Sequence, residues 1–260
     1  MSGVGDMNGR TVLVTGASSG IGHAIARRLA AAGARVHGIS RRGLSIDPEI
    51  DWKGEVVSHA IDVTDTAALT ALIEGFAASD PLDTVVLAAG TNIPKRRFAE
   101  LTDESFDEIL RTNLYGVFTI LRLALPQLRE MAGDVVIISS ISANWPDHSG
   151  AAYGASKSAV LNLARGLSRD EHGYGVRVCS ILPGIVDTPI LDKRPSPPPA
   201  EVRELAVHPD DIAEATLTAV TLPNRTNIAE MSVVSTRLQF LGGTQEATPA
   251  LPPEMIGEKS

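Results

Sequence analysis

Cysteine is nearly absent: Cys179 is the single one in the chain. That excludes an intramolecular disulfide and any cysteine-rich metal cluster. Positive charge is also in short supply, with 23 basic residues against 31 acidic ones and a net charge of −8. A protein so balanced lacks the basic face that non-specific nucleic-acid binding needs. The first ten residues, MSGVGDMNGR, hold no apolar stretch of the signal-peptide kind. No run of 18 apolar residues occurs, so no membrane-spanning helix is expected. A soluble, cytoplasmic protein is the expectation. The six histidines show no paired ligand spacing, and no metal is expected.

What is present is a large apolar fraction, 43% of 260 residues, enough for a sizeable core. At roughly 150 residues per domain the length lies between one and two domains. No linker-like stretch divides the middle, so 1–260 reads as a single domain. Short runs rich in Val and Ile recur at Thr11–Thr15, Arg35–Ser40, Glu55–Ile61, Thr84–Ala88, Asp134–Ser139, Val176–Leu182 and Met231–Val234. Helical patterns follow most of them: His23–Ala32, Asp65–Ala78, Asp103–Arg129 (interrupted near Asn113 and Gly116), Tyr153–Glu171 and Asp210–Val220. Continuous apolar strands alternating with helices indicate a parallel sheet covered on both faces. The expected fold is therefore α/β, one doubly wound domain with a seven-stranded, mostly parallel sheet. Pro-rich residues around 195–199 oppose a helix, and 189–207 is expected to form a lid over a substrate. Residues 248–260, with three prolines, read as a surface tail.

The segment from Thr15 to Gly22 (TGASSGIG) joins the first strand to the first helix. Gly16, Ser18, Ser19, Gly20, Ile21 and Gly22 there can bring backbone N–H groups and the positive helix end to a pyrophosphate. The spacing is G-x-x-x-G-x-G, and a plain strand-to-helix turn is the alternative reading. The second strand ends in Ser40-Arg41-Arg42 rather than in an acid. A guanidinium clamps phosphate in bidentate fashion. One charge-assisted bond is worth roughly 1.5–3 kcal/mol, enough for at least tenfold discrimination. NADP(H) is thus expected over NAD(H), against the alternative of a solvated basic turn. Asp62 and Val63, at the end of the third strand, could meet the adenine; Asp62 could equally flank the next helix near Thr64.

Tyr153 and Lys157 stand four residues apart on a helical pattern and so share a face. A phenol with its pKa near 10 is a poor base at neutral pH. A neighbouring ammonium would favour its anion, and a two-unit depression needs about 2.7 kcal/mol. The pattern alone also fits a solvated helix. Ser140 follows the fifth strand at the edge where open α/β sheets bind ligands, and it could donate to a carbonyl oxygen. Ser139 and Ser142 are read as turn chemistry. Asn113 interrupts a helical stretch that does not favour it. It reads either as a bend that holds a water or as a surface residue. Asn144, Trp145 and His148, between Ser140 and Tyr153, are expected to rim a substrate pocket, although packing or surface roles suit the last two as well. Cys179 reads as a small buried residue.

Together these motifs resemble the classical-type short-chain dehydrogenase/reductase family over nearly the whole chain. Thr15–Gly22 fits T-G-x-x-x-G-x-G, Asn113–Gly116 fits N-x-x-G, and Tyr153–Lys157 fits Y-x-x-x-K. Ser140 precedes Tyr153 by the family's usual thirteen residues. Pro183-Gly184 with Thr188 resembles the motif that meets the nicotinamide carboxamide. The resemblance implies a Rossmann-type oxidoreductase that interconverts carbonyl and alcohol groups by hydride transfer. In it Tyr153 is the general acid or base and Lys157 lowers the tyrosine pKa and binds the nicotinamide ribose. Ser140 polarises the carbonyl and Asn113 holds a relay water. It also implies a homotetramer, or else a dimer. Epimerisation, dehydration or imine reduction on the same scaffold is the alternative, as is a cofactor-binding regulator without turnover. One departure stands out: the family's N-N-A-G reads Leu87-Ala88-Ala89-Gly90 here. Ala89 and Gly90 keep their cofactor-facing place, while the lost asparagines need a substitute, for which Asn92 is the candidate.

Overall fold

A computed structural model describes residues 5–44, 53–76 and 80–238. The tail expected at 248–260 lies outside the described residues. Seven strands, β1 (Thr11–Thr15), β2 (Arg35–Ser40), β3 (Val56–Ala60), β4 (Thr84–Leu87), β5 (Asp134–Ile138), β6 (Arg177–Pro183) and β7 (Glu230–Val233), form one sheet. Its order is β3-β2-β1-β4-β5-β6-β7, and all six pairings are parallel. Every residue of β1, β4, β5 and β6 is buried, as strands covered on both faces must be. The edge strands β3 and β7 alternate with exposed positions instead.

The helices are α1 (Gly20–Ala31), α2 (Thr66–Glu74), α3 (Asp103–Leu110), α4 (Gly116–Met131), α5 (Ala151–Glu171), α6 (Ala200–Glu204) and α7 (Pro209–Thr221). Side chains alternate across the sheet, so Val12 and Val14 face one layer and Leu13 the other. Val12 and Val14 pack with Ile25 and Leu29 of α1 and with Ile212 and Leu217 of α7. Leu13 packs with Val85 and Leu87 of β4, Ile120 and Leu128 of α4, and Val160 of α5. The expected interruption near Asn113 is a five-residue π-helical turn, Arg111–Tyr115, between α3 and α4. The proline-rich stretch holds a 3-10 turn at Pro189–Lys193, and α6 begins only after Pro199.

The amino-terminal edge of the sheet is tied by charge. Arg177 donates Nε and Nη2 to Asp134 at 2.7 and 2.9 Å. Arg10 reaches the same carboxylate at 2.6 Å and Asp83 at 3.0 Å. Four strands, β1, β4, β5 and β6, are thus clamped at their starts. Removing one partner from a buried network strands the others without compensation. Asp134→Ala is expected to lower stability by about 3–5 kcal/mol in a urea titration. A loss below about 1 kcal/mol would mean that the network contributes no more than a surface pair.

Candidate active site

The sheet order reverses between β1 and β4, and a crevice opens at such a point beyond the carboxyl ends of the strands. A cavity of about 780 Å³ lies there, lined by residues that follow β1, β2, β4, β5 and β6.

The glycine loop forms its floor. Gly16 and Gly20 have φ of +71° and +55°, the left-handed region that glycine tolerates. A β-carbon on Gly22 would lie 2.5 Å from the Gly16 carbonyl oxygen, so helix and turn can meet only without one. Ser19 caps α1 in extended conformation, and the first turn of that helix carries no acid to offset its positive end. Ser18, Ser19 and Ile21 line the cavity with the glycines.

Arg41 and Arg42 are exposed and line the same cavity beyond β2. Ser40 is buried and donates its hydroxyl to the Gly43 carbonyl at 2.7 Å, fixing the turn that presents the arginines. Asp62 accepts from the Thr64 backbone N–H and hydroxyl, both at 2.9 Å. It therefore shapes the turn before α2 while still lining the cavity, and Val63 lies beside it.

Ala89 and Gly90 line the cavity after β4. The loop they form is held by Thr15, whose hydroxyl oxygen accepts from the Ala88 and Ala89 N–H groups at 3.1 and 3.0 Å. Asn92 adds to this bracing from the far end of the loop. It donates to the Ser149 carbonyl at 3.0 Å and accepts from the Ile93 N–H at 2.8 Å, pinning this loop to the one before α5. Pro183, Gly184 and Thr188 line the wall beyond β6, where the Thr188 methyl packs close to Gly20.

Ser140, Tyr153 and Lys157 share one wall of the cavity. Ser140 leaves β5 with extended backbone, and its oxygen accepts from the Ser142 N–H at 3.1 Å. Ser142 in turn donates to Asp147 at 2.6 Å. Burial, reinforced by the Asp147 charge, pushes the Tyr153 phenol up to about 12. A hydrogen bond with Ser140 and the charges of Arg96 and Arg194 act in the opposite direction. Lys157 is 5% exposed and donates Nζ to the Ile138 carbonyl at 2.8 Å, 5.6 Å from the Tyr153 ring centre. Burial pulls its ammonium down to about 8. Desolvation outweighs the charges that act on the phenol here.

Asn113, 1% exposed in the π-helical turn, does not line the cavity. Its side chain accepts from the Thr91 N–H at 2.8 Å and donates to the Thr91 carbonyl and the Ser156 hydroxyl at 3.1 and 3.0 Å. It stands behind Gly90, where an added β-carbon would lie 3.6 Å from both Asn113 Oδ1 and Lys157 Nζ. Asn144, Trp145 and His148 also stay outside the cavity lining. The 3-10 turn Ile141–Ala143 directs the Trp145 ring onto Ile141, Leu161 and Leu182, and Asn144 and His148 are exposed. The residue of that loop that does line the cavity is Ser149.

Sequence reasoning passed over the basic side chains at this end. Arg96, Lys193 and Arg194 all line the cavity. The run Lys95-Arg96-Arg97, just past the fourth strand, was the available signal.

A family model described as short chain dehydrogenase matches residues 10–198. Serine 3-dehydrogenase of Agrobacterium fabrum is 32% identical over 242 residues, covering 89% of this chain and 96% of that protein. Among solved structures, the alcohol dehydrogenase from the archaeon Thermococcus sibiricus complexed with 5-hydroxy-NADP has a TM-score of 0.76 at 30% identity. It covers 88% of this chain and 98% of its own. A short chain dehydrogenase from Mycobacterium paratuberculosis bound to NAD has a TM-score of 0.73 at 25% identity, covering 88% and 97%.

Proposed function

The chain belongs to the short-chain dehydrogenase/reductase family and is an oxidoreductase, and on that premise we propose that it interconverts a carbonyl and an alcohol with NADP(H), using Tyr153 as its acid–base group. The observation that carries the reading is one continuous cavity with Ser140, Tyr153 and Lys157 at one end and Arg41 and Arg42 at the other. Strands β2 and β5 stand three places apart in the sheet, or about 14 Å at the usual strand spacing. An extended dinucleotide suits that span. The residues fit such a cofactor, because a β-carbon at Gly16 or Gly22 would strike backbone where a pyrophosphate needs close approach. Relatives bind either NADP or NAD, so the preference rests on the two arginines.

When bound, NADPH supplies the hydride for reduction and NADP+ accepts it in the reverse direction. The N–H groups of Ser18 to Gly22 and the start of α1 would hold the pyrophosphate, and Arg41 with Arg42 would hold the 2′-phosphate. Ser140 donates to the substrate oxygen and orients it. A phenol at about 12 keeps its proton at neutral pH, so Tyr153 enters reduction as a ready acid. Transfer to the more basic alkoxide oxygen is downhill. Lys157, near 8, can release and regain a proton close to working pH and so resupply the phenol. Asn113 keeps the Thr91 backbone and Ser156 in register behind this wall, and residues 189–207 act as the lid.

The test is a screen for NADPH oxidation across a panel of carbonyl compounds, repeated with NADH. Efficiency with NADPH is expected to exceed that with NADH by at least about tenfold. Arg41→Ala is expected to shrink that ratio by a similar factor, mainly through the KM for NADPH. Equal efficiency with NADH in the wild type rejects the assignment of the phosphate site.

A further inference from the structure

Ser139, the residue before Ser140, places its hydroxyl on α5 rather than in the turn after β5. Strand alternation sends it that way. Val135 and Ile137 pack in the layer of α5, whereas Val136 and Ile138 pack in the opposite one. Ser139 is 3% exposed and donates its hydroxyl to the Lys157 backbone carbonyl at 3.0 Å. Its own N–H donates to the Ile181 carbonyl of β6 at 2.8 Å, so the hydroxyl is carried on a tethered backbone.

The residue on its other side holds the far end of the same lysine. The Ile138 carbonyl accepts from Lys157 Nζ at 2.8 Å. The β4–β5 ladder ends at the pair Leu87 and Ile137, and the Ala88 and Ala89 N–H groups that come next bond to Thr15. The Ile138 carbonyl is thereby left to the ammonium. Two consecutive residues at the end of β5 thus grip Lys157 twice, once at its backbone and once at its tip. A lysine stem is long and flexible, so a tip held at one point stays in register only if its base is held too. Lys157 also lines the cavity, which gives a released ammonium somewhere to go.

We propose that Ser139 is a positioning residue, whose hydroxyl seats Lys157 so that the ammonium stays on the Ile138 carbonyl instead of turning into the cavity. The proposal rests on the reading of Lys157 as the group that resupplies the phenol. Among the described residues, Tyr153 faces the ammonium from α5, with its ring centre 5.6 Å away. The uncharged Asn113 flanks Gly90 together with it. Burial is the cause of its fall to about 8. An ammonium that swings into the cavity meets water and loses that cause.

Ser139→Ala deletes the hydroxyl and strands no acceptor, because the Lys157 carbonyl lies inside α5 and keeps its helical bond. The titration of Lys157 is followed by NMR at its ε-carbon in the whole chain, labelled with 13C-lysine. The signal is identified by its loss in Lys157→Met. In Ser139→Ala it is expected to move from near 8 towards the ordinary 10.5, by about one pH unit or more. At neutral pH kcat is expected to fall roughly tenfold, with KM for the carbonyl within about twofold of wild type. Ser139→Thr restores the hydroxyl and is expected to recover both. Thr216→Val serves as the control. It removes a buried hydroxyl from the Ile212 carbonyl of α7, outside the cavity lining, and is expected to leave the titration in place. A titration that moves by less than about 0.3 pH unit in Ser139→Ala, or as far in Thr216→Val, overturns the positioning role. A shifted titration with kcat unchanged, or with no carbonyl turned over, upholds the seat of Lys157 and rejects the relay instead.

Discussion

Tyr153→Phe is expected to lower turnover by about 10²–10⁴-fold, the usual contribution of a positioned general acid. The substitution removes one oxygen and keeps the ring, so the cavity wall and α5 stay in place. NADPH affinity, measured by fluorescence titration, is expected to remain within a few-fold of wild type, because the cofactor cradle is built from other strands. Ser140 remains to orient the carbonyl, so binding of substrate persists while the proton donor is gone. A kcat within threefold of wild type would remove Tyr153 from the chemistry. The outcome is sharpest in the reductive direction, where the phenol at about 12 is fully protonated across the physiological range.

Lys157→Met is expected to act twice. Turnover should fall by about 10²-fold, since the proposed proton relay would lose its cation. Stability should also change its dependence on pH. The folded pKa of Lys157, about 8, lies below its ordinary value of 10.5. Between those limits the unfolded chain binds more protons than the folded one, so wild-type stability rises with pH. From pH 7 to 9.5 this gain amounts to about 2 kcal/mol. The methionine variant lacks it, so the difference in unfolding free energy, wild type minus variant, should grow by that amount over the same range. The Tyr153 contribution has the opposite sign but acts only above about pH 10, outside the window. A constant difference between the two proteins across this range would show that Lys157 is not held in a desolvated state.

The fold was legible because parallel strands buried on both faces write themselves as unbroken apolar runs. Arg35–Ser40 and Thr11–Thr15 coincide with β2 and β1, and the other strand limits moved by a residue or so, as ladder ends do. The seven strands and the TGASSGIG turn needed only local pattern. The start of α1 at Gly20, three residues before the apolar periodicity begins at His23, was hidden because glycines carry no helical signal. The site was half legible. Ser140, Tyr153 and Lys157 announce themselves by spacing, whereas Arg96 and Arg194 sit in irregular loops nearly a hundred residues apart. Only the return of the chain after β6 brings the second beside the first. The misplacement of Trp145 has a similar origin: neighbours in sequence between two site residues need not share their direction once a 3-10 turn intervenes. Thr15 was read as one letter of a motif, although its hydroxyl holds the loop that lost its asparagines.

The wide turn at Arg111–Tyr115 has a consequence for how this stretch can change over generations. Each residue winds an α-helix by about 100°. The five residues of this turn take one position more than an α-helical turn needs, so losing one between 111 and 115 would close it as ordinary α-helix and leave Val117, Ile120, Leu121, Ala124 and Leu128 on the sheet they cover. The same slip would carry Asn113 off the Thr91 backbone. The surplus residue is thus what seats Asn113 on that loop, and a change in the segment's length would be felt there rather than in the core.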